Sequence, residues 1–198
     1  MSNHPLLPVS VISKFEVFDW RNACAILSTV HKKEFDQIVS VLSRFVLKQS
    51  DLAAGGGNKS SIAKGLDQEL YALGWAEKKF DTQFIVDGVT SESPTHSVDC
   101  FKGKIALELE WNNKDPFFDR DLNNFRLLYD LQVIDLGVIV TRATSLEAVL
   151  KASGRSVTTY GKSTTHTDKL YPKIKGGGAG GCPVLVFGIT AGAFRHDL

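Results

Sequence analysis

S-V-D-C-F-K-G-K-I-A-L-E-L-E-W-N-N, from Ser97 to Asn113, decides how the rest of the chain reads. Val98 to Phe101 and Lys104 to Trp111 have the composition of strands. Lys102-Gly103 between them suits the short connection of a hairpin. In the second strand Ile105, Leu107, Leu109 and Trp111 alternate with Ala106, Glu108, Glu110 and Asn112. This period of two puts Glu108 and Glu110 on one face. With Phe101 opposite Lys104, Asp99 falls opposite Ala106 and diagonal to Glu108, about 7–8 Å away at the backbone. A slip of one residue would send Asp99 to the other face.

Three carboxylates so disposed suit a hard divalent cation. Mg²⁺ prefers oxygen ligands and keeps several waters. It acidifies a bound water and neutralises charge that builds on a phosphate. The hairpin therefore points to metal-dependent phosphodiester hydrolysis, with Asp99, Glu108 and Glu110 as the acting groups. The same acidic alternation also marks an ordinary strand with a solvated outer face, and the hairpin alone leaves both readings open.

The chain has 198 residues, of which 43% are hydrophobic and 23% charged, as in an ordinary globular protein with room for a substantial core. No apolar run reaches the length of a membrane span, and the N-terminus lacks the pattern of a signal peptide. Cys24, Cys100 and Cys182 are odd in number and widely spaced, which suggests a reducing compartment instead of a disulfide framework or a zinc site. Net charge is only +1, but its distribution is uneven. Asp99 to Asp135 carries eight acidic and five basic residues; Arg142 to Lys175 carries seven basic and two acidic. An acidic strip beside a basic one suits a protein that loads a cation and binds a polyanion, though ordinary surface charge gives the same count.

Away from the hairpin, Phe35, Ile38, Val39, Leu42, Phe45 and Val46 recur at helical spacing inside a segment from Glu16 to Gln49, with a break near His31. A second helix runs from about Ser61 to Leu73, capped by Asn58 or Ser60 and stopped by Gly74. Thr82 to Val86, Asp135 to Thr141 and Pro183 to Ile189 read as strands; Phe118 to Leu131 and Ser145 to Lys151 read as helices, and Thr164 to Ile174 as helix or mixed. Strands alternating with helices, without repeat or linker, predict one α/β domain over residues 1–198 with a mixed central sheet flanked by helices.

Two glycine clusters imitate nucleotide motifs. Gly55 to Ser60 lacks the glycine before lysine that a phosphate loop needs, although a helix N-terminus with Lys59 can hold a DNA phosphate. Gly176, Gly178 and Gly181 lead into a strand instead of a helix, so the dinucleotide context fails and a flexible loop is expected. The five histidines are scattered without ligand spacing, and no nucleophile elbow accompanies them. Trp20, Trp75 and Trp111 read most simply as core or near-core.

Asp99, Glu108 and Glu110, at spacings of nine and two, together resemble the BglII/BstYI group of type II restriction endonucleases, relatives of BamHI. E-V-F-D-W-R-N at Glu16–Asn22, A-L-G-W ending at Trp75 and V-L-V-F-G-I at Val184–Ile189 fall in the expected order. The resemblance implies a restriction-endonuclease-like fold of the PD-(D/E)xK type. It implies that Asp99, Glu108 and the backbone carbonyl of Leu109 ligate Mg²⁺, and that Glu110 orients or deprotonates the attacking water. Glutamate at that position is the BamHI-like choice and suits a general base. Asn113 falls where these enzymes carry a base-reading side chain, beside Lys114, and an Asn amide pairs bidentately with adenine; a turn asparagine is the plain alternative. Lys162, Ser163, Thr164, Thr165 and His166 lie where relatives read flanking bases, or else cap a helix. Glu69 is either a further acid near the metal or a surface charge.

The resemblance further implies a homodimer that cuts a short palindromic site in double-stranded DNA, with a GATC centre suggested by the relatives. The helix Phe118 to Leu131 is the candidate dimer face. A methyltransferase would protect the same site in a prokaryotic cytoplasm. The rival readings are a repair or junction-resolving nuclease of the same fold, a non-catalytic DNA-binding module, and an unrelated small-molecule hydrolase.

Overall fold

A computed structural model describes residues 4–53, 60–92, 95–153, 161 and 163–197. The chain begins with α1 (Val9–Ile12), β1 (Phe15–Trp20), α2 (Ala23–Val30), α3 (Lys32–Arg44), β2 (Leu47–Lys48), α4 (Gln49–Ala53) and α5 (Ser61–Ala72). Strands β3 (Ala76–Lys78), β4 (Gln83–Val86), β5 (Val89–Glu92), β6 (Val98–Lys102) and β7 (Ile105–Glu110) follow. Then come α6 (Pro116–Asp130), β8 (Leu136–Arg142), α7 (Glu147–Ala152), α8 (Thr167–Lys175), β9 (Val184–Ile189) and β10 (Phe194–Arg195).

Six strands make one mixed sheet in the order β1-β9-β8-β7-β6-β3. β7, β8 and β9 run parallel, and the outer pairings are antiparallel. The parallel centre is buried at every position. Covering both faces with helices requires this, and the near-continuous apolar runs of β8 and β9 supply it. One face packs on α2, α3, α5 and α7 through residues such as Leu27, Leu42, Leu66 and Leu150. The other packs on α6 and α8 through Phe118, Leu122, Phe125, Leu170 and Ile174. The expected mixed sheet flanked by helices is thus present.

Two expectations need correction. The segment from Glu16 is a strand, not the start of a helix. Its aromatic and β-branched residues fit a pleated, half-buried edge, and Arg21 and Asn22, at φ 57° and 59°, turn the chain into α2. The helices α2 and α3 then divide at His31, as the break in pattern indicated. In the hairpin, Lys102 pairs with Ile105, so the turn is Gly103-Lys104 and not Lys102-Gly103. Gly103 sits at φ 58°, which the first corner of this turn demands. The register therefore differs by two residues from the expected one. A shift of two preserves every side chain's face. Continuing the pairing of Cys100 with Leu107 by one step brings Asp99 directly opposite Glu108.

β4 joins β5 in a separate two-stranded ribbon around Asp87-Gly88, outside the main sheet. Gly176 to Gly181 is a run of turns between α8 and β9, laid against α6 side chains at Leu122 and Arg126 rather than a free loop. Gly55 to Lys59 lies outside the described residues.

The position of α6 fixes the site. A Cβ on Gly137 of β8 would lie 2.2 Å from Phe125 Cδ2, so only glycine admits Phe125 this close to the sheet. Phe118, Asp121, Leu122, Phe125 and Leu128 form the buried stripe of α6. Its exposed side carries Asp119, Asn123, Arg126 and Asp130. The apolar stripe is thus spent on the protomer's own core, and a dimer face on this helix would be polar. Among the described residues, no helix is long and apolar enough to cross a membrane.

Candidate active site

The hairpin β6–β7 and the first turns of α6 converge on one cluster of carboxylates. The Asp99 backbone N–H donates to Glu108 Oε2 at 3.2 Å, and the Leu109 N–H donates to Asp99 Oδ2 at 3.0 Å. These two bonds tie Asp99 to the facing strand. Glu110 lies two residues further along the same face. Asn113 Nδ2 donates to its Oε2 at 2.7 Å, and Arg120 Nη2 reaches its Oε1 at 3.3 Å. Thr141 Oγ1 of β8 donates to the Glu110 carbonyl at 2.8 Å and fixes the end of β7.

Two members of this cluster were not expected from the sequence. Asp121 is fully buried, and Arg120 donates to its Oδ1 from Nε at 2.9 Å and from Nη2 at 2.8 Å. The signal was in the pattern: an acid sits three residues after Phe118 and four before Phe125, inside an apolar helical stripe. A buried carboxylate there needs a partner. A cavity of about 220 Å³ opens beside the cluster, lined by residues that include Asp99, Leu109, Glu110, Asn113, His96 and Arg120. Asn124 Nδ2 holds the His96 carbonyl at 3.1 Å and so docks the entry to β6 on α6.

The electrostatics follow from burial. Glu108 is only 1% exposed. Burial first, then the charges of Asp121 and Asp99, push its carboxyl well above the ordinary range. Burial and Asp121 push Glu110 up to about 9, against the opposing effects of Asn113 and Arg120. Asp121 is also raised by burial, and Arg120 opposes the rise. Burial and the Arg120 charge lower His96, against Asp99 and Glu77. Burial thus favours the protonated forms of these carboxyls more than solvent would, a bias that a cation would oppose.

The donor set fits a hard cation. Glu108 Oε1 is buried without a hydrogen-bond partner among the described residues. Such an oxygen is costly unless something binds it. Asp99 stands across from it, and Leu109, whose carbonyl is the third candidate ligand, lies between Glu108 and Glu110 in sequence. Among the described residues, no three Asp, Glu, His or Cys side chains enclose an ion by themselves. A cation here would take waters for the rest of its shell, as Mg²⁺ ordinarily does.

The remaining candidates fall into three groups. Asn113 and Lys114 lie at the end of β7, Asn113 in the cavity wall and Lys114 exposed beside it. The segment Ser163 to His166 is laced to that strand end. Asp115 N–H donates to the Ser163 carbonyl, Lys114 bridges Thr164, and Thr165 exchanges bonds with Asn113 at 2.8 and 3.1 Å. Thr165 is fully buried, so its side chain has no surface to offer DNA. Thr164 Oγ1 accepts from Arg142, and His166 Nδ1 meets Thr144 Oγ1 at 2.9 Å. Ser163 alone of these four is well exposed. Glu69 lies on the exposed side of α5 and pairs with Arg44 at 2.9 Å, as a surface charge does. Lys59 and Lys162 lie outside the described residues.

Comparison with known proteins agrees with the BglII part of the resemblance seen in the motifs. Residues 15–189 match the family model described as restriction endonuclease BglII/BglIII. No curated protein matches the chain. The matched span runs from the first strand of the main sheet to its last, so it includes the whole hairpin, α6 and the cavity between them. On this match the protein belongs to the BglII/BglIII family of type II restriction endonucleases, whose partner is double-stranded DNA.

Proposed function

We propose that the protein hydrolyses phosphodiester bonds of double-stranded DNA in a Mg²⁺-dependent reaction, at a short palindromic site, as a homodimer in which each subunit cuts one strand. The observation that carries this reading is the pairing of Asp99 with Glu108 across the hairpin, with Glu110 on the same face at the cavity wall. Asp99, Glu108 and the Leu109 carbonyl would hold the metal, which supplies a water of lowered pKa and neutralises charge on the phosphate. Glu110 is set to orient that water and take its proton. Asn113 steadies Glu110 through its amide nitrogen and lies where a base edge can be read. Lys114, Ser163 and the segment carrying Lys162 offer polar and cationic contacts to the backbone or flanking bases, whereas buried Thr165 supports Asn113. A GATC-centred target and a methyltransferase protecting the same site in a prokaryotic cytoplasm belong to the same reading. So does a single endonuclease domain over residues 1–198.

The test is incubation of the purified protein with unmethylated phage DNA, with and without Mg²⁺. Discrete Mg²⁺-dependent fragments are expected, and their ends define the site and the cut position. Salt-dependent DNA binding without any cutting would sink the catalytic reading and leave a binding module. Cutting only at branched or damaged duplex would make it a repair or junction nuclease.

A further inference from the structure

We infer that Arg120 is the phosphate-binding group of this site: anchored on Asp121, its guanidinium exchanges a weak contact with Glu110 for a nonbridging oxygen of the scissile phosphate. This inference rests on the proposed DNA hydrolysis. A phosphodiester is an anion, and the cavity presents Asp99 and Glu110 at its wall with Glu108 and Asp121 buried behind them. Such a site repels its substrate until positive charge faces the phosphate, and a cation held by Asp99 and Glu108 would leave the far side of the phosphate to a protein group. Among the described residues lining the cavity, Arg120 and His96 are the basic ones, and Arg120 stays charged at any working pH.

Its hydrogen bonds divide into strong and weak. Nε and Nη2 lie 2.9 and 2.8 Å from Asp121 Oδ1, the usual length of charge-assisted bonds. The same Nη2 lies 3.3 Å from Glu110 Oε1, longer than such bonds prefer. The Phe117 ring lies 4.4 Å from the guanidinium carbon and fixes its plane. Nη1 has no partner among the described residues, and the side chain is 32% exposed. One edge of the fork is therefore anchored, and the other is open toward an incoming ligand. A planar fork with a free edge matches phosphate oxygens better than an ammonium does.

The exchange also releases the base. While Arg120 touches Glu110, one oxygen of that carboxyl is engaged. When phosphate takes the guanidinium, Glu110 Oε1 is left to the attacking water. Water oxygen then bonds to phosphorus, one P–O ester bond breaks, a water proton passes to Glu110, which would be ionised once a cation is bound beside it, and the departing oxygen takes a proton from solvent. Arg120 transfers no proton; it binds the phosphate and keeps it in line.

The experiment compares wild type with Arg120→Gln and, because Asp121 would be left buried without its cation, with the double variant Arg120→Gln/Asp121→Asn. Single-turnover cleavage is measured on a short duplex carrying the mapped site, and duplex binding in EDTA is measured across salt concentrations. Folded variants should cleave about 10²–10³-fold more slowly. Their plot of log affinity against log salt should be shallower by about 0.9, one phosphate contact fewer. The rise in melting temperature on adding Mg²⁺ should remain. Either folded variant cutting at the wild-type rate overturns the inference. So does an unchanged salt slope, which would make Arg120 a support for Glu110 and nothing more. A wild-type protein that cuts no duplex removes the hydrolase reading, and this inference with it.

Discussion

Replacing Glu110 by glutamine should make the metal-free protein more stable at neutral pH. The Glu110 carboxyl, ordinarily at 4.5, is pushed up to about 9 in the folded chain. Below pH 4.5 folded and unfolded chains both hold the proton, and the group costs nothing. Between 4.5 and about 9 the unfolded chain releases it while the folded chain retains it. Stability therefore falls as pH rises through that window. At pH 7.5, three pH units above the unfolded value, the cost has an upper limit of about 4 kcal/mol at about 1.36 kcal/mol per unit. Glu108 and Asp121 share the same field, and water entering the cavity screens it, so about 1–2 kcal/mol is the expected gain.

Glutamine fits the space. Its amide nitrogen takes the place of Oε2 if the Asn113 side chain flips to present its carbonyl, and its oxygen still accepts from Arg120. In a chain of this size each kcal/mol is worth about 2–4 °C, so Glu110→Gln should melt about 2–8 °C higher than wild type in EDTA at pH 7.5. The gap should shrink toward pH 5. Calorimetric melts at pH 5, 6.5, 7.5 and 8.5 check this. A variant that melts at or below wild type at pH 7.5, or a gap independent of pH, would refute the account of the cluster. The same substitution should slow Mg²⁺-dependent cleavage about 10²–10⁴-fold if Glu110 takes the proton of the attacking water.

Four further outcomes are expected. Asp99→Ala should abolish cleavage on a gel while leaving the circular dichroism spectrum intact, and cleavage at the wild-type rate would remove Asp99 from the site. Saturating Mg²⁺, at about 100 times its dissociation constant, should stabilise wild type by about 2.7 kcal/mol, and Glu108→Gln should lose that increment in a melting assay. Asn113→Ala should slow cutting and cost about 1–3 kcal/mol of base discrimination, scored by cleavage of single-substitution sites. An unchanged site preference would leave Asn113 only its bond to Glu110. Gly137→Ala drives a methyl into the Phe125 ring and should destabilise by about 1–3 kcal/mol in urea; a wild-type midpoint would mean that α6 lifts from the sheet without cost.

Much of this was legible in the residues, for identifiable reasons. The central strands β8 and β9 announce themselves because a parallel strand buried on both faces reads as an unbroken apolar run. Glu108 and Glu110 share a face by pleating alone. The hairpin register was off by a pleat period, because periodicity fixes parity but not which residue occupies the corner. Gly103 at positive φ settled that corner. β1 was hidden because Glu16 to Gln49 contains a strong helical stripe further on, and edge strands carry no burial pattern of their own. The run Ser163 to His166 looked like a DNA-facing segment because its composition is polar. Its threonines bond Asn113 and Arg142 instead, contacts between residues far apart in sequence that no local pattern encodes.

Asp121 shows why the site and the fold were chosen together. An aspartate in the buried stripe of α6 is a poor core residue, and isolated burial of its charge would cost several kcal/mol. It survives there because Arg120, its neighbour in the chain, reaches over it, and Phe125 low on Gly137 holds this stretch of α6 down beside β7, where Arg120 also meets Glu110. A helix lifted by one methyl would leave Asp121 less covered and Arg120 further from Glu110. Gly137→Ala should therefore reduce more than stability. If α6 is the arm that carries the phosphate-binding cation, the folded fraction of Gly137→Ala should cut more slowly per molecule than wild type. Cleavage in proportion to folded protein would mean that the helix's height on the sheet matters for packing alone.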